Sequence, residues 1–190
     1  MIHYYTNREI SEKLEINLAR WKRWSRSFLP PDPLGGMQSG YARQYVYKDL
    51  FKVFLGGHLL SHLKLSVAES QQVIEDLTPW LKRWGFLDLK TNGSKGATEQ
   101  YRAAMDYIRV FFHALPESGP KAVIGFRYLV QQIVDVQQET VENRRYLTQR
   151  IEETLIHGDA AETNSFYAHP GVHMLNLSAL AGRLVQRLRG

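Results

Sequence analysis

A mainly α fold is predicted for this chain: an N-terminal winged helix-turn-helix domain followed by a helical C-terminal region with a long dimerisation helix. Three observations predict it. Thr6-Asn7-Arg8-Glu9 and Ser66-Val67-Ala68-Glu69 both have the capping-box pattern that opens a helix. Pro30, Pro31 and Pro33 separate a basic-aromatic run from a glycine-led segment of strand periodicity. Residues 121 to about 157 contain no proline, and their apolar positions fit one helix of roughly 50 Å.

The elements follow in order. Thr6 and Glu9 cap a short helix that buries Ile10 and Leu14, four residues apart on one side. Asn17, after almost no loop, caps a second helix, and two helices so joined make a helix-turn-helix. On that second helix Trp21 and Trp24 share a face and are read as core, because duplex nucleic acid offers few exposed bases to stack on. Gly40-Tyr41-Ala42-Arg43-Gln44-Tyr45 alternates as a strand and completes a hairpin-like wing. A third helix begins near Lys48-Asp49 and turns Leu50, Val53, Phe54 and Leu60 inward. The fourth, opened by Ser66 and Glu69, buries Val67, Val73, Ile74 and Leu77.

Residues 1–77 are therefore assigned to the N-terminal domain, 78–97 to a connector containing Thr91-Asn92-Gly93-Ser94, and 98–190 to the C-terminal region. Residues 98–114 read as a helix through Tyr101, Met105, Ile108 and Phe112. The long helix then carries Phe126, Leu129, Val130, Ile133, Val134, Val141, Leu147, Ile151 and Leu155. A lone helix of that length needs a partner, so Phe126, Val130, Ile133, Leu147 and Ile151 are the candidate dimerisation residues. Residues 158–171 read as loop, and Leu175 to Leu188 as a final helix. The aromatic residues between Trp80 and Phe112 form a second core, with a small-molecule pocket as the sharper reading.

The chain has 190 residues, a formal charge of +5 and no cysteine, which excludes disulfides, thiolate metal sites and cysteine nucleophiles. Residues 1–65 hold ten Lys/Arg against five Asp/Glu, and the remainder fourteen against fourteen. All the net charge thus lies in the first third, as expected where an N-terminal module meets a polyanion. There is no basic leader with an apolar stretch and no run of the roughly 18 apolar residues a membrane span needs, so a cytoplasmic location without membrane partners is expected. His58 and His62 stand four apart, a spacing that can chelate zinc, but no further ligand accompanies them, and no metal or cofactor is expected. No nucleophile-base pair or phosphate-cradling glycine motif is present, so no enzyme is expected either.

What the residues do suggest is contact with duplex DNA. Arg20, Lys22, Arg23 and Arg26 put four cations on one helix, suited to phosphates and base edges. Arg43 is the best wing contact, because a guanidinium holds phosphate in bidentate fashion. Of Tyr41 and Tyr45, one contacts the backbone while the other packs beneath the wing.

Taken together, residues 3–77 resemble the MerR family of bacterial transcription regulators. The resemblance rests on Tyr5-Thr6-Asn7-Arg8-Glu9-Ile10, on a capped helix from Asn17 to Trp24 followed by Phe28-Leu29-Pro30-Pro31, and on the Gly40-to-Tyr45 wing. Asp49-Leu50 and Leu65-Ser66-Val67-Ala68-Glu69 complete the order. Ala42 stands where the family commonly has arginine, and Lys22-Arg23-Trp24-Ser25 departs from its usual recognition helix. About forty residues also intervene before the predicted long helix. The resemblance implies a sequence-specific transcription regulator that binds double-stranded DNA as a homodimer, with an unidentified small-molecule effector as a further partner class. Two alternatives stand beside it: an architectural winged-helix DNA-binding protein of excisionase or partition type, without effector, and a module whose basic helix docks an acidic protein.

Overall fold

The structure is a computed structural model that describes residues 4–32, 43–87, 108–115, 125–156 and 163–189. The chain forms two units, one of Met1–Lys95 with Leu180–Gly190 and one of Gly96–Ala179. The division falls inside the predicted connector. The fourth helix, however, continues to Arg83, and the end of the chain belongs to the first unit.

In the first unit, strand β1 (Tyr5–Thr6) leads into helix α1 (Asn7–Leu14), followed by α2 (Leu18–Phe28), β2 (Gln44–Tyr45), α3 (Tyr47–Ser61) and α4 (Val67–Arg83). Both capping boxes are formed. Glu9 accepts from the Thr6 amide at 2.7 Å while Thr6 Oγ1 accepts from the Glu9 amide at 3.3 Å, and Ser66 and Glu69 repeat the pattern at 2.7 and 3.2 Å. β1 and β2 pair antiparallel, Tyr5 opposite Tyr45 and Thr6 opposite Gln44. The core gathers Ile10, Leu14, Trp21, Leu50, Phe51, Val73, Leu77 and Phe86, all buried or nearly so. Val67 instead lies 44% exposed, being the first residue of its helix, and Phe54 and Leu60 are only half-buried. Leu55 and Leu59 take the inward positions on α3.

The second unit is where the predicted fold class fails. It contains an antiparallel sheet, four strands of which lie among the described residues, so the protein is mixed α and β rather than mainly α. The strands are β3 (Ile108–Ala114), β4 (Phe126–Val141), β5 (Arg144–Ile156) and β6 (His173–Asn176), in the spatial order β5-β4-β3-β6. A short helix α5 (Thr163–Tyr167) precedes β6, and α6 (Leu177–Arg189) ends the chain. The stretch predicted as one long helix is a hairpin, β4 folding back on β5 from Val141 opposite Arg144 to Tyr128 opposite Ile156. Its two-residue turn is Glu142-Asn143, with φ of 49° and 61°. Positive φ at both central positions is the requirement of the hairpin turn whose twist matches the flanking strands.

Two features disguised the strands. Tyr128, Leu129 and Val130 are buried in succession, so the start of β4 holds a short apolar run that periodicity cannot assign. A register shift between Ile133 and Asp135 then breaks the alternation. Of the predicted 98–114 helix, residues 98–107 lie outside the described residues and Ile108–Ala114 is strand β3. The final helix is where the sequence places one.

Candidate nucleic-acid interface

The interface is built on the α1-turn-α2 segment. Glu15 takes a left-handed conformation (φ 54°), the Ile16 amide bonds the Ser11 carbonyl at 3.1 Å, and Ser11 Oγ donates to the Ile16 carbonyl at 2.7 Å. Asn17 Oδ1 then accepts from the amides of Ala19 and Arg20 at 3.0 and 3.3 Å, starting α2 in a new direction. Both orphan ends of the turn are satisfied locally, which fixes the angle at which α2 is presented.

Helix α2 buries Trp21, Trp24, Ser25 and Phe28. At about 100° per residue these four cluster on one side, and Lys22, Arg26, Arg23 and Arg20 fan over roughly 160° of the other. All four cations are exposed, and α2 contains no acidic residue to neutralise them. Among the described residues none of the four makes an ion pair. Arg26 donates from Nε to the Lys22 carbonyl at 3.3 Å, and the others project from the helix without side-chain hydrogen bonds among the described residues.

The buried side of α2 rests on α3 at very close range. An added Cβ at Gly57 would lie 2.3 Å from the Trp24 indole, and one at Gly56 would lie 2.4 Å from the Phe28 ring. Two adjacent glycines in a helix interior each cost up to ~1 kcal/mol relative to alanine. Here they admit the two rings that seat α2. From α4, Gln71 Nε2 donates to the Ser27 carbonyl at 2.7 Å, tying down the last turn of the same helix.

On the wing side, Tyr45 is 1% exposed. Its hydroxyl donates to Asn7 Oδ1 at 2.8 Å and meets Ser25 Oγ at 2.8 Å, and its ring stands edge-on to Trp21 at 5.6 Å. Tyr45 is therefore removed from the candidate DNA contacts: every polar and apolar surface it has is used inside the unit. The Arg43 guanidinium lies 5.6 Å above the Tyr45 ring, so this buried tyrosine carries Arg43 beside α2. Tyr41, with Gly40 and Ala42, lies outside the described residues.

The candidate dimerisation residues fare differently. Phe126, Val130 and Ile133 are 9%, 4% and 7% exposed within a single chain, because β4 is an inner strand of the sheet. They are core rather than a helical seam. Ile151, on β5, which is outermost among the described strands, remains 42% exposed, and Leu147 also falls on β5.

His58 and His62 stack with ring centroids 4.4 Å apart. Burial first, then the neighbouring His62 and Arg183, holds the His58 imidazole below its ordinary pKa of 6.5. Among the described residues no cluster of three or more His, Asp or Glu side chains could hold a metal ion. Among the same residues no helix is long and apolar enough to cross a membrane.

Sequence reasoning missed Arg187. From the last helix it donates to the Leu14 carbonyl and pairs with Glu15 at 3.2 Å, bracing the turn that aims α2. Only its position in a basic tail hinted at this. It also missed Gly56-Gly57, whose signal was their pairing in a helix interior, where glycine is disfavoured without a packing reason.

No protein-family model matches this chain, and no curated protein matches it.

Proposed function

We propose that this chain is a sequence-specific, DNA-binding transcription regulator of MerR type that works as a homodimer in the cytoplasm. Helix α2 enters the major groove with Lys22, Arg23 and Arg26 toward phosphates and base edges, Arg20 flanks them, and Arg43 grips the backbone from the wing. Two copies place their α2 helices in successive grooves of a pseudo-palindromic site. The observation that carries this reading is the pairing of four exposed, unneutralised cations with a rigid mounting: a capped turn below, two rings seated on glycines behind, and Arg43 held alongside on Tyr45.

The test is a gel-shift and footprint on the chain's own upstream DNA, with Arg23→Ala combined with Arg43→Ala. Wild-type protein is expected to protect a two-part site. The double variant loses binding while keeping its fold, and in each single variant the slope of log affinity against log salt drops by about one. Unchanged duplex affinity in the double variant sinks the reading.

A further inference from the structure

β3 pairs with β4 only from Phe126 to Gln132, so beyond that point β4 and β5 continue as a two-stranded arm, unflanked by any strand among the described residues. Every side chain described from Asp135 to Thr154 is exposed. Val141 and Tyr146 are 48% and 50% exposed, unusual for large apolar groups on a ribbon with solvent on both sides.

The arm's charges are sorted by strand. Asp135, Glu139 and the turn residue Glu142 lie on the β4 side with no cation, whereas Arg144, Arg145 and Arg150 lie on β5 with no acid up to Glu152. Register places Asp135 opposite Arg150, Glu139 opposite Tyr146 and Val141 opposite Arg144, all on one face of the ribbon. Among the described residues Arg150 pairs with Glu152, at the base of the arm, at 3.9 Å, and no β4 carboxylate is salt-bridged.

We propose that this face of the arm is the contact with a second copy of the chain, the acidic strand of each arm lying over the basic strand of the other. This rests on the homodimer reading given above and supplies the element that the absent long helix was expected to provide. Two facing ribbons can be related by a two-fold axis across the strands or along them. An axis across the strands stacks β4 on β4 and sets carboxylate against carboxylate. An axis along them sets Asp135 over Arg150 of the second copy and Glu139 within reach of Arg144, with Val141 and Tyr146 enclosed between. Charge therefore selects the second arrangement, which is isologous and closes at two copies. From Asp135 to Arg150 three carboxylates balance three guanidinium groups, so the arm carries no net attraction for a polyanion, in contrast to α2.

One face of such a ribbon is about 25 Å by 10 Å, or roughly 250 Å². That is well under the ~800 Å² a side of a standard interface. The association is accordingly weak in free solution and is strengthened when both copies are held on one duplex.

Analytical ultracentrifugation up to millimolar concentration, without DNA, tests the proposal. Wild-type protein self-associates. Asp135→Arg with Glu139→Arg, and separately Arg144→Glu with Arg150→Glu, each give a folded monomer by circular dichroism, and an equimolar mixture of the two associates again. A wild-type chain monomeric throughout, or reversed variants that associate like wild type, overturns the proposal. Because the chain lacks cysteine, single-cysteine variants keep the question open to decision if charge reversal unfolds the sheet. Thr148→Cys, on the charged face, is bridged to a second copy by a short bismaleimide, and Gln149→Cys on the opposite face is not; equal bridging overturns it. Gel shifts on the same variants separate the two readings. A wild-type chain with no salt-dependent duplex binding removes the DNA reading while centrifugation still reports on the arm. Loss of duplex binding in the Arg144/Arg150 variant with association unchanged assigns the arm to DNA and overturns its pairing with a second copy.

Discussion

Ser25 Oγ on α2 lies 2.8 Å from the Tyr45 hydroxyl on β2, both groups being buried. Since Tyr45 donates onward to Asn7 Oδ1 at 2.8 Å, the Ser25 hydroxyl is the donor to the tyrosine oxygen. One phenol thus links α2, β2 and the first turn of α1. Tyr45→Phe leaves Asn7 and the buried Ser25 without that partner and should destabilise the protein by about 1–3 kcal/mol, read as a lower urea midpoint. The ring that supports Arg43 remains. Duplex affinity of the folded variant is therefore expected to fall much less than in Arg43→Ala.

Gly57→Ala tests the seating of α2. Alanine raises helix propensity by ~1 kcal/mol, so a solvent-facing glycine would be stabilised by the change. At this position the new methyl group meets a buried indole at 2.3 Å, and overpacking of that kind costs about 1–3 kcal/mol. A net fall in melting temperature is expected, and a rise would show that Trp24 can retreat.

Arg187→Ala removes both the bond to the Leu14 carbonyl and the pair with Glu15. The carbonyl ends α1, where a cation also complements the helix dipole, so the loss should be about 1 kcal/mol. Glu15→Gln removes only the ion pair, whose carboxylate is 79% exposed, and should cost less than ~0.5 kcal/mol. Comparing the two melting temperatures separates backbone bracing from charge pairing.

Acid should destabilise the fold through His58 and His113. Both imidazoles are held below the ordinary value of 6.5, in each case mainly by burial. His113 stacks on His169 at 3.9 Å, and His169 and Arg127 further disfavour its charged form, against the opposing pull of its bond to the Ala114 carbonyl. With folded pKa values below the unfolded ones, the unfolded chain binds more protons in the intervening window. Stability is full above about pH 6.5 and falls as pH drops through the folded values. Urea titrations from pH 7.5 to 5 should show this slope, and it should flatten in a His58→Gln/His113→Gln variant.

How much of this was legible in the sequence follows from the range of each interaction. The Thr6–Glu9 and Ser66–Glu69 boxes, the Asn17 cap and the inward face of Trp21 and Trp24 were all readable. Each depends on residues within one helical turn, where spacing alone brings partners together. The four exposed cations of α2 were readable for the same reason. β4 and β5 were not: a buried apolar run fits helix and strand alike, and the bulge near Val134 hid the alternation that would have decided. The Glu142-Asn143 turn was the available local clue.

The sequence by itself determined the capped helices of the first unit and the charge they carry, because those are short-range consequences of residue order. Only the tertiary structure decided that Tyr45 is core, why two glycines sit within α3, and that Arg187 braces a turn 173 residues away. It alone also decided that the region of Phe126 and Ile151 is a sheet. A strand is stabilised by partners remote in sequence, and no pattern confined to one segment specifies the neighbour it will pair with.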